Sequence, residues 1–382
     1  MEQRKGLRLI LFPMPLQGHL NPMLELANLL HHQGFSITII HPQFNPLNPS
    51  TYPHFTFHSI PVALTQAEAS TSDILAFISL LNIKCSEPFR ECLARLLSDN
   101  QEPVASLISD LLFQFTQPDS IKDFSCLFLC CLSCISTSAG KGLPPLQDSR
   151  LEEPVIELPP LKIKDLPVLK TMDPEKYYEL VLALKKETEA SHGIIFNTFE
   201  DLEGSSLATI RQEFNIPIFP IGPFQKCFPA ASASSSMKPN FWRWLGASQQ
   251  QPTLFVGDPP GLVHGSEWLE PLPSGFLEAL NGRAHIVKWA PQRRCLATQL
   301  LECFGLTMVG ILRWRVLVAV GAWDKRGEIE RTVRKIMVEK EGEEIRERIF
   351  QLMEKANVCI KQGGSSYQSL EGLVKHILSL EK

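Results

Sequence analysis

Two residues far apart in the chain have the types and settings that proton-transfer chemistry needs. His19 lies in the stretch "PMPLQGHLNP", between an apolar run and the start of a helical pattern, and Asp110 closes the apolar run "PVASLISD" (103–110). An imidazole is a usable base near neutral pH. A carboxylate on one ring nitrogen would fix its tautomer, orient the ring and stabilise the charge that forms when the other nitrogen deprotonates a hydroxyl. A helix amino terminus beside His19 would disfavour imidazolium and keep the ring neutral. The pair would activate an alcohol. The plainer alternative, with His19 bonding its own loop and Asp110 capping a turn, is left open by spacing alone.

The elements that must position the pair read as α/β. Leu7 to Phe12 is a short apolar strand. A helix is expected over 21–33, with Asn21 as N-cap, Pro22 at its first position and Gly34 as its stop. Met23, Leu26, Ala27 and Leu30 form its buried stripe, and "FSITII" (35–40) is the next strand. These strands lack in–out alternation, so a parallel sheet covered by helices on both faces is predicted. The pattern continues with a helix over 73–98, the strand ending at Asp110, a helix over 174–190 and the strand "GIIFNTF" (193–199). In such sheets, ligands sit outside the carboxyl ends of the strands, where both His19 and Asp110 fall.

At 382 residues the chain exceeds one ordinary core, so two domains are expected. Small polar "AASASSS" (230–236) marks the join. The expected organisation is a first domain over 1–229, a linker over 230–240 and a second domain over 241–382, whose last helices pack back toward the first. "TLFV" (253–256) and "HIVKWA" (285–290) read as strands of the second domain. Three amphipathic helices then close the chain, striped by Ile329, Val333, Ile336 and Met337, by Ile345, Ile349, Leu352, Met353 and Ala356, and by Tyr367, Leu370, Val374 and Ile377.

A hydrophobic content of 44% with 20% charged residues describes a globular protein, and a net charge of −4 supplies no basic field for nucleic acid. "FSCLFLCCLSCI" (124–135) is too short to span a membrane. The apolar run at the start is too short for a secretory signal, so a cytoplasmic protein is expected. Cys126, Cys130, Cys131 and Cys134 would put three thiols on one face if helical, but without a nearby histidine or a paired C-x-x-C spacing they read as buried, reduced thiols rather than metal ligands.

"ILFPMPLQGHLNPMLELANLL" with "SLISD", "HIVKWAPQ" and "RGEIERTVRKIMVEKEGEEIRERI" resembles the plant family 1 UDP-glycosyltransferases, nearest the branch numbered 76. The resemblance covers most of both proposed domains. It implies the GT-B fold, two Rossmann-like domains facing a cleft, with the acceptor bound mainly by the first and a UDP-sugar by the second. It implies His19 as catalytic base, Asp110 as its charge-relay partner and Gly18 with His19 at the acceptor. It further implies Trp289 stacked on uracil, with Ala290 and Gln292 at the uridine edge. The co-substrates would be a UDP-sugar, with glucose expected, and a small hydrophobic aglycone. An inverting reaction needs no metal and no other cofactor, and a monomer is expected.

The family signature continues past W-x-P-Q with H-C-G-W-N-S, a glutamate and a D-Q pair. Here "RRCLATQLLECFGLTMVG" follows "WAPQ", and neither H-C-G-W nor D-Q occurs anywhere in the chain. A second interruption falls at "TLFVGDPPGLVHG" and a third at "CCLSCISTSAGKGLPPLQDS". The second domain is therefore expected to be shortened. Two functions stay open: a sugar transferase, or a relative that binds aglycone without holding UDP-sugar. A mis-spliced or decaying gene would also produce such junctions.

Overall fold

The run "RLILF" forms strand β1 (Arg8–Phe12), buried along its whole length. Leu9 and Leu11 enter one hydrophobic cluster while Ile10 and Phe12 enter another, so the strand is covered on both faces and has no polar side to alternate with. It is the hub of a seven-stranded sheet in the computed structural model, which describes residues 6–44, 47–65, 68, 73–98, 103–116, 122–127, 153, 174–227, 254–257, 284–287 and 340–380.

The other strands are β2 (Ser36–Pro42), β3 (Phe55–Ile60), β4 (Val104–Asp110), β5 (Asp123–Leu127), β6 (Ile194–Phe196) and β7 (Ile218–Pro220). Their order is β3-β2-β1-β4-β5-β6-β7, with every pair parallel. The chain winds outward from β1 to β3, returns to the other side of β1, and runs outward again. The direction of winding reverses between β1 and β4. This is the switch point at which open α/β sheets leave a crevice beyond the strand ends.

Helix α1 (Gln17–His32) starts four residues earlier than the sequence pattern places it. Asn21 is not its N-cap, and Pro22 lies inside it. The Leu16 carbonyl accepts from both His19 N and Leu20 N, at 2.9 and 2.8 Å, and so closes the first turn before the proline. Pro22 then removes only the bond that its N–H would have made to Gly18, a loss tolerated this close to a helix start. At the other end Gly34 adopts φ 96°, the left-handed position that glycine takes without strain.

One sheet face carries α1, through Met23, Leu26, Ala27 and Leu30. The other carries α2 (Ile74–Ser98) through Ile78, Leu81, Cys85 and Phe89, along with α3 (Pro174–Ala190) and α4 (Glu200–Glu213). Asp73 caps α2, its Oδ1 accepting from Leu75 N and Ala76 N. Strand β5 settles the conformation of residues 123–127. Cys126 is a fully buried strand residue, its thiol pushed well up by burial and by the Asp110 charge. The other three cysteines of that stretch lie outside the described residues.

The chain divides into two compact units, Met1–Phe228 with Leu352–Lys382, and Pro229–Gln351. In the second unit β8 (Leu254–Gly257) pairs in parallel with β9 (Ala284–Val287). The linker 230–240 and the helix striped by Ile329 to Met337 lie outside the described residues. Of the closing helices, α5 (Lys340–Cys359) ends in the first unit, and α6 (Ser365–Ser379) buries Leu370, Leu373, Val374 and Ile377 on the α1 face of the sheet. Each such side chain contributes roughly 1.5–3 kcal/mol. The half-exposed Lys355–Asp201 pair, between α5 and α4, contributes about 1 kcal/mol or less.

A polar stitch fixes the start of α6. Ser366 Oγ donates to the Gly222 carbonyl at 2.6 Å, just beyond β7. A Cβ on Gly222 would lie 2.5 Å from the Asn197 carbonyl carbon and 2.6 Å from Thr198 N, both backbone atoms. Gly222→Ala is expected to destabilise the protein by about 2–3 kcal/mol, seen as a lower urea midpoint at unchanged slope. Gly18→Ala, which meets nothing within 4 Å among the described residues, is the near-neutral control.

Candidate active site

His19 is the third residue of α1, and Asp110 is the last of β4. Because these elements follow and form the two strands at the switch point, their side chains meet. His19 Nδ1 lies 2.7 Å from Asp110 Oδ2, with the His19 residue 9% and Asp110 1% exposed. The second carboxylate oxygen, Oδ1, accepts from Leu112 N at 3.1 Å, and the Asp110 carbonyl accepts from Phe113 N at 3.0 Å. An ionised carboxylate only accepts, so the proton of the neutral ring sits on Nδ1 and Nε2 keeps its lone pair.

The electrostatics differ from the sequence expectation. Burial pulls the His19 pKa down, but the charge of Asp110 and the hydrogen bond to it outweigh burial and leave the pKa above the ordinary histidine value. The helix end does not decide the charge; the carboxylate does. A raised folded-state pKa means that the pair's stabilisation is full below the unfolded histidine value and is lost as pH rises through the folded one. The drop in Tm caused by Asp110→Asn should therefore be larger at about pH 5.5 than at about pH 9, which thermal scans at the two pH values would check.

Gly18 is exposed beside His19. Trp289, Ala290 and Gln292 lie outside the described residues, two and more positions beyond the end of β9 at Val287.

Two features around the pair were not anticipated. Phe12, at the end of β1, stacks on Phe113 and Phe89 with ring centroids 4.3 and 4.4 Å away, and Phe115 packs edge-on against Phe12 and Phe89. The alternation of Phe113 and Phe115 just after Asp110 was the available signal. The other is Asn82 of α2, whose amide binds the loop that follows Asp110. A second His–Asp contact, His192 Nδ1 to Asp123 Oδ1 at 3.2 Å, sits at the amino ends of β5 and β6, the opposite edge of the sheet. There His376 of α6 bonds the His192 carbonyl at 3.0 Å, so this contact ties the closing helix down. Among the described residues no group of three or more His, Cys, Asp or Glu is placed to hold a metal ion, and no helix is long and apolar enough to cross a membrane.

The profile of the glycosyltransferase N-terminal domain matches residues 6–226, more than half of the chain. UDP-glycosyltransferase 76B1 of Arabidopsis thaliana is 38% identical over 450 aligned positions, covering 99% of this chain and 100% of that one. This chain belongs to the plant family 1 UDP-glycosyltransferases, in the 76 branch. Within that family it is also 30% identical to the flavonol 3-O-glucosyltransferase UGT76E12 of A. thaliana, over 100% of this chain and 99% of the relative. The Medicago truncatula glycosyltransferase UGT71G1, solved with UDP-glucose, superposes with a TM-score of 0.73 at 20% identity, covering 99% of each chain. The Polygonum tinctorium UDP-glucosyltransferase that glucosylates indoxyl gives 0.72 at 20%, covering 98% and 99%. The fold is the family's GT-B fold. Because the 450 aligned positions exceed the 382 residues here, UDP-glycosyltransferase 76B1 carries residues with no counterpart in this chain.

Proposed function

We propose that this chain transfers a sugar, with glucose expected, from a UDP-sugar to a hydroxyl of a small hydrophobic plant molecule, with inversion. The first domain would hold the acceptor and the second the donor. His19 Nε2 takes the proton from the acceptor hydroxyl. The acceptor oxygen then bonds to the anomeric carbon as the bond from that carbon to the UDP oxygen breaks, and UDP leaves with the electron pair on the opposite face. Asp110 holds Nδ1–H and balances the imidazolium that forms. Gly18 keeps the backbone next to His19 open to the acceptor, and Trp289, Ala290 and Gln292 take the uridine. A monomer in the cytoplasm completes the reading, to be checked by gel filtration and a fluorescent fusion.

The observation that carries this reading is the 2.7 Å His19–Asp110 contact at the switch point, in a chain of a sugar-transferring family. The test is incubation of the purified protein with UDP-glucose and a panel of phenolic and terpenoid alcohols. A glycoside of inverted anomeric configuration, with UDP released in equal amount, is expected.

A second reading is supported by the absence of H-C-G-W-N-S and D-Q after "WAPQ": a relative that binds aglycone and does not turn over. Its signature in the same experiment is saturable binding of panel members with no glycoside at any donor concentration. Recovery of the missing motif in the expressed transcript would instead restore the ordinary donor site.

A further inference from the structure

We infer that Asn82 is a positioning residue for the His19–Asp110 pair, acting through the backbone of Leu112. Asn82 lies in α2, between the buried Leu81 and the Lys84–Glu68 ion pair, and its amide faces the loop that follows β4. Its Nδ2 donates to the carbonyls of Leu112 at 2.9 Å and Ile78 at 3.0 Å, and its Oδ1 accepts from Gln114 N at 2.7 Å. Two carbonyls on one side and an N–H on the other fix which way the amide points.

Leu112 is thereby held from both ends. Its carbonyl takes the Asn82 amide, and its N–H donates to Asp110 Oδ1, the oxygen that does not face His19. A carboxylate pinned at Oδ1 presents Oδ2 to Nδ1 in one orientation. The same loop carries Phe113 and Phe115 into the stack around Phe12, so the amide and the rings fix residues 111–116 from two sides. Asn82 is not a group that reaches for a ligand, since both of its donor hydrogens are spent on carbonyls. An amide at this place in an apolar helix face is explained by the loop it clamps.

The inference deepens the proposed base role of His19 and rests on it for its catalytic consequence alone. The experiment therefore reads position without turnover: an NMR titration of the His19 Cε1–H resonance in the full chain, assigned with His19→Ala. Asp110→Asn is expected to move the midpoint down toward the ordinary histidine value, and Asn82→Ala to produce at least half of that shift. Asn82→Asp keeps the Gln114 contact and turns a lone pair toward the Leu112 carbonyl. Its added negative charge alone would raise the midpoint, so a fall reports lost positioning. A folded variant of either kind that titrates like the unaltered protein, or higher, overturns the inference. In the unaltered chain the Leu112 and Gln114 amides should exchange with solvent slowly and together, and free exchange of both also overturns it, whether or not the variants fold. Where turnover is measured, Asn82→Ala should lower kcat by up to about 100-fold with the donor KM unchanged. Lack of turnover in the unaltered protein would count against the proposed function and leave the titration result standing.

Discussion

Replacing His19 with alanine should lower sugar transfer by about 100- to 10,000-fold, measured as kcat with UDP-glucose at millimolar donor and a responsive alcohol acceptor. The range is what a positioned general base contributes, and nothing else described near Asp110 is placed to substitute for it. Equal product from the variant and the unaltered protein would reject the base assignment. Asp110→Asn tests the same step by a different route. Leu112 N–H needs an acceptor, so the asparagine oxygen takes the Oδ1 place and its amide faces His19 Nδ1. That arrangement makes Nδ1 the acceptor and puts the ring proton on Nε2, where the substrate hydroxyl needs a lone pair. Activity of the unaltered protein should rise with pH, because the neutral ring is the base and its pKa lies above the ordinary value. Any residual activity of Asp110→Asn should rise at lower pH than this.

The sheet and most of its helices were legible because buried parallel strands are unbroken apolar runs. "RLILF" and "VASLISD" could hardly be anything else. Strand β3 announces itself only by the brief alternation of Phe55 and Phe57, because as an edge strand it buries only Phe55 and Ile60 and its middle residues carry mixed polarity. The start of α1 was misplaced because Asn21-Pro22 has the chemistry of a helix entry, whereas the turn that closes on the Leu16 carbonyl has no capping side chain to mark it. The pair itself was legible only as two residues at strand ends. Its contact depends on the sheet order, which places β4 beside β1 across about ninety residues of sequence, and no local pattern encodes that neighbour. Asn82 was invisible for the same reason. Its value comes from a loop thirty residues away, and in the sequence it is one polar residue in a helical stripe.

The donor side allows the second large prediction: UDP alone should show no saturable heat in calorimetry below about 1 mM. The resemblance places an asparagine, a serine and a histidine at a helix entry where they would grip the diphosphate, and "RRCLATQLLECFG" supplies none of that pattern. Each lost charge-assisted hydrogen bond costs about 1.5–3 kcal/mol. Three such losses take a micromolar ligand, bound by about 8 kcal/mol, to millimolar affinity or beyond. Stacking of uracil on Trp289 is already included in the affinity of an intact site, so it offsets none of this loss. Turnover then requires donor far above the level that saturates an intact site, and the donor KM should be high. Micromolar capture of UDP by this chain would mean that other residues have taken over the diphosphate, and the account of the interrupted signature would fail with it.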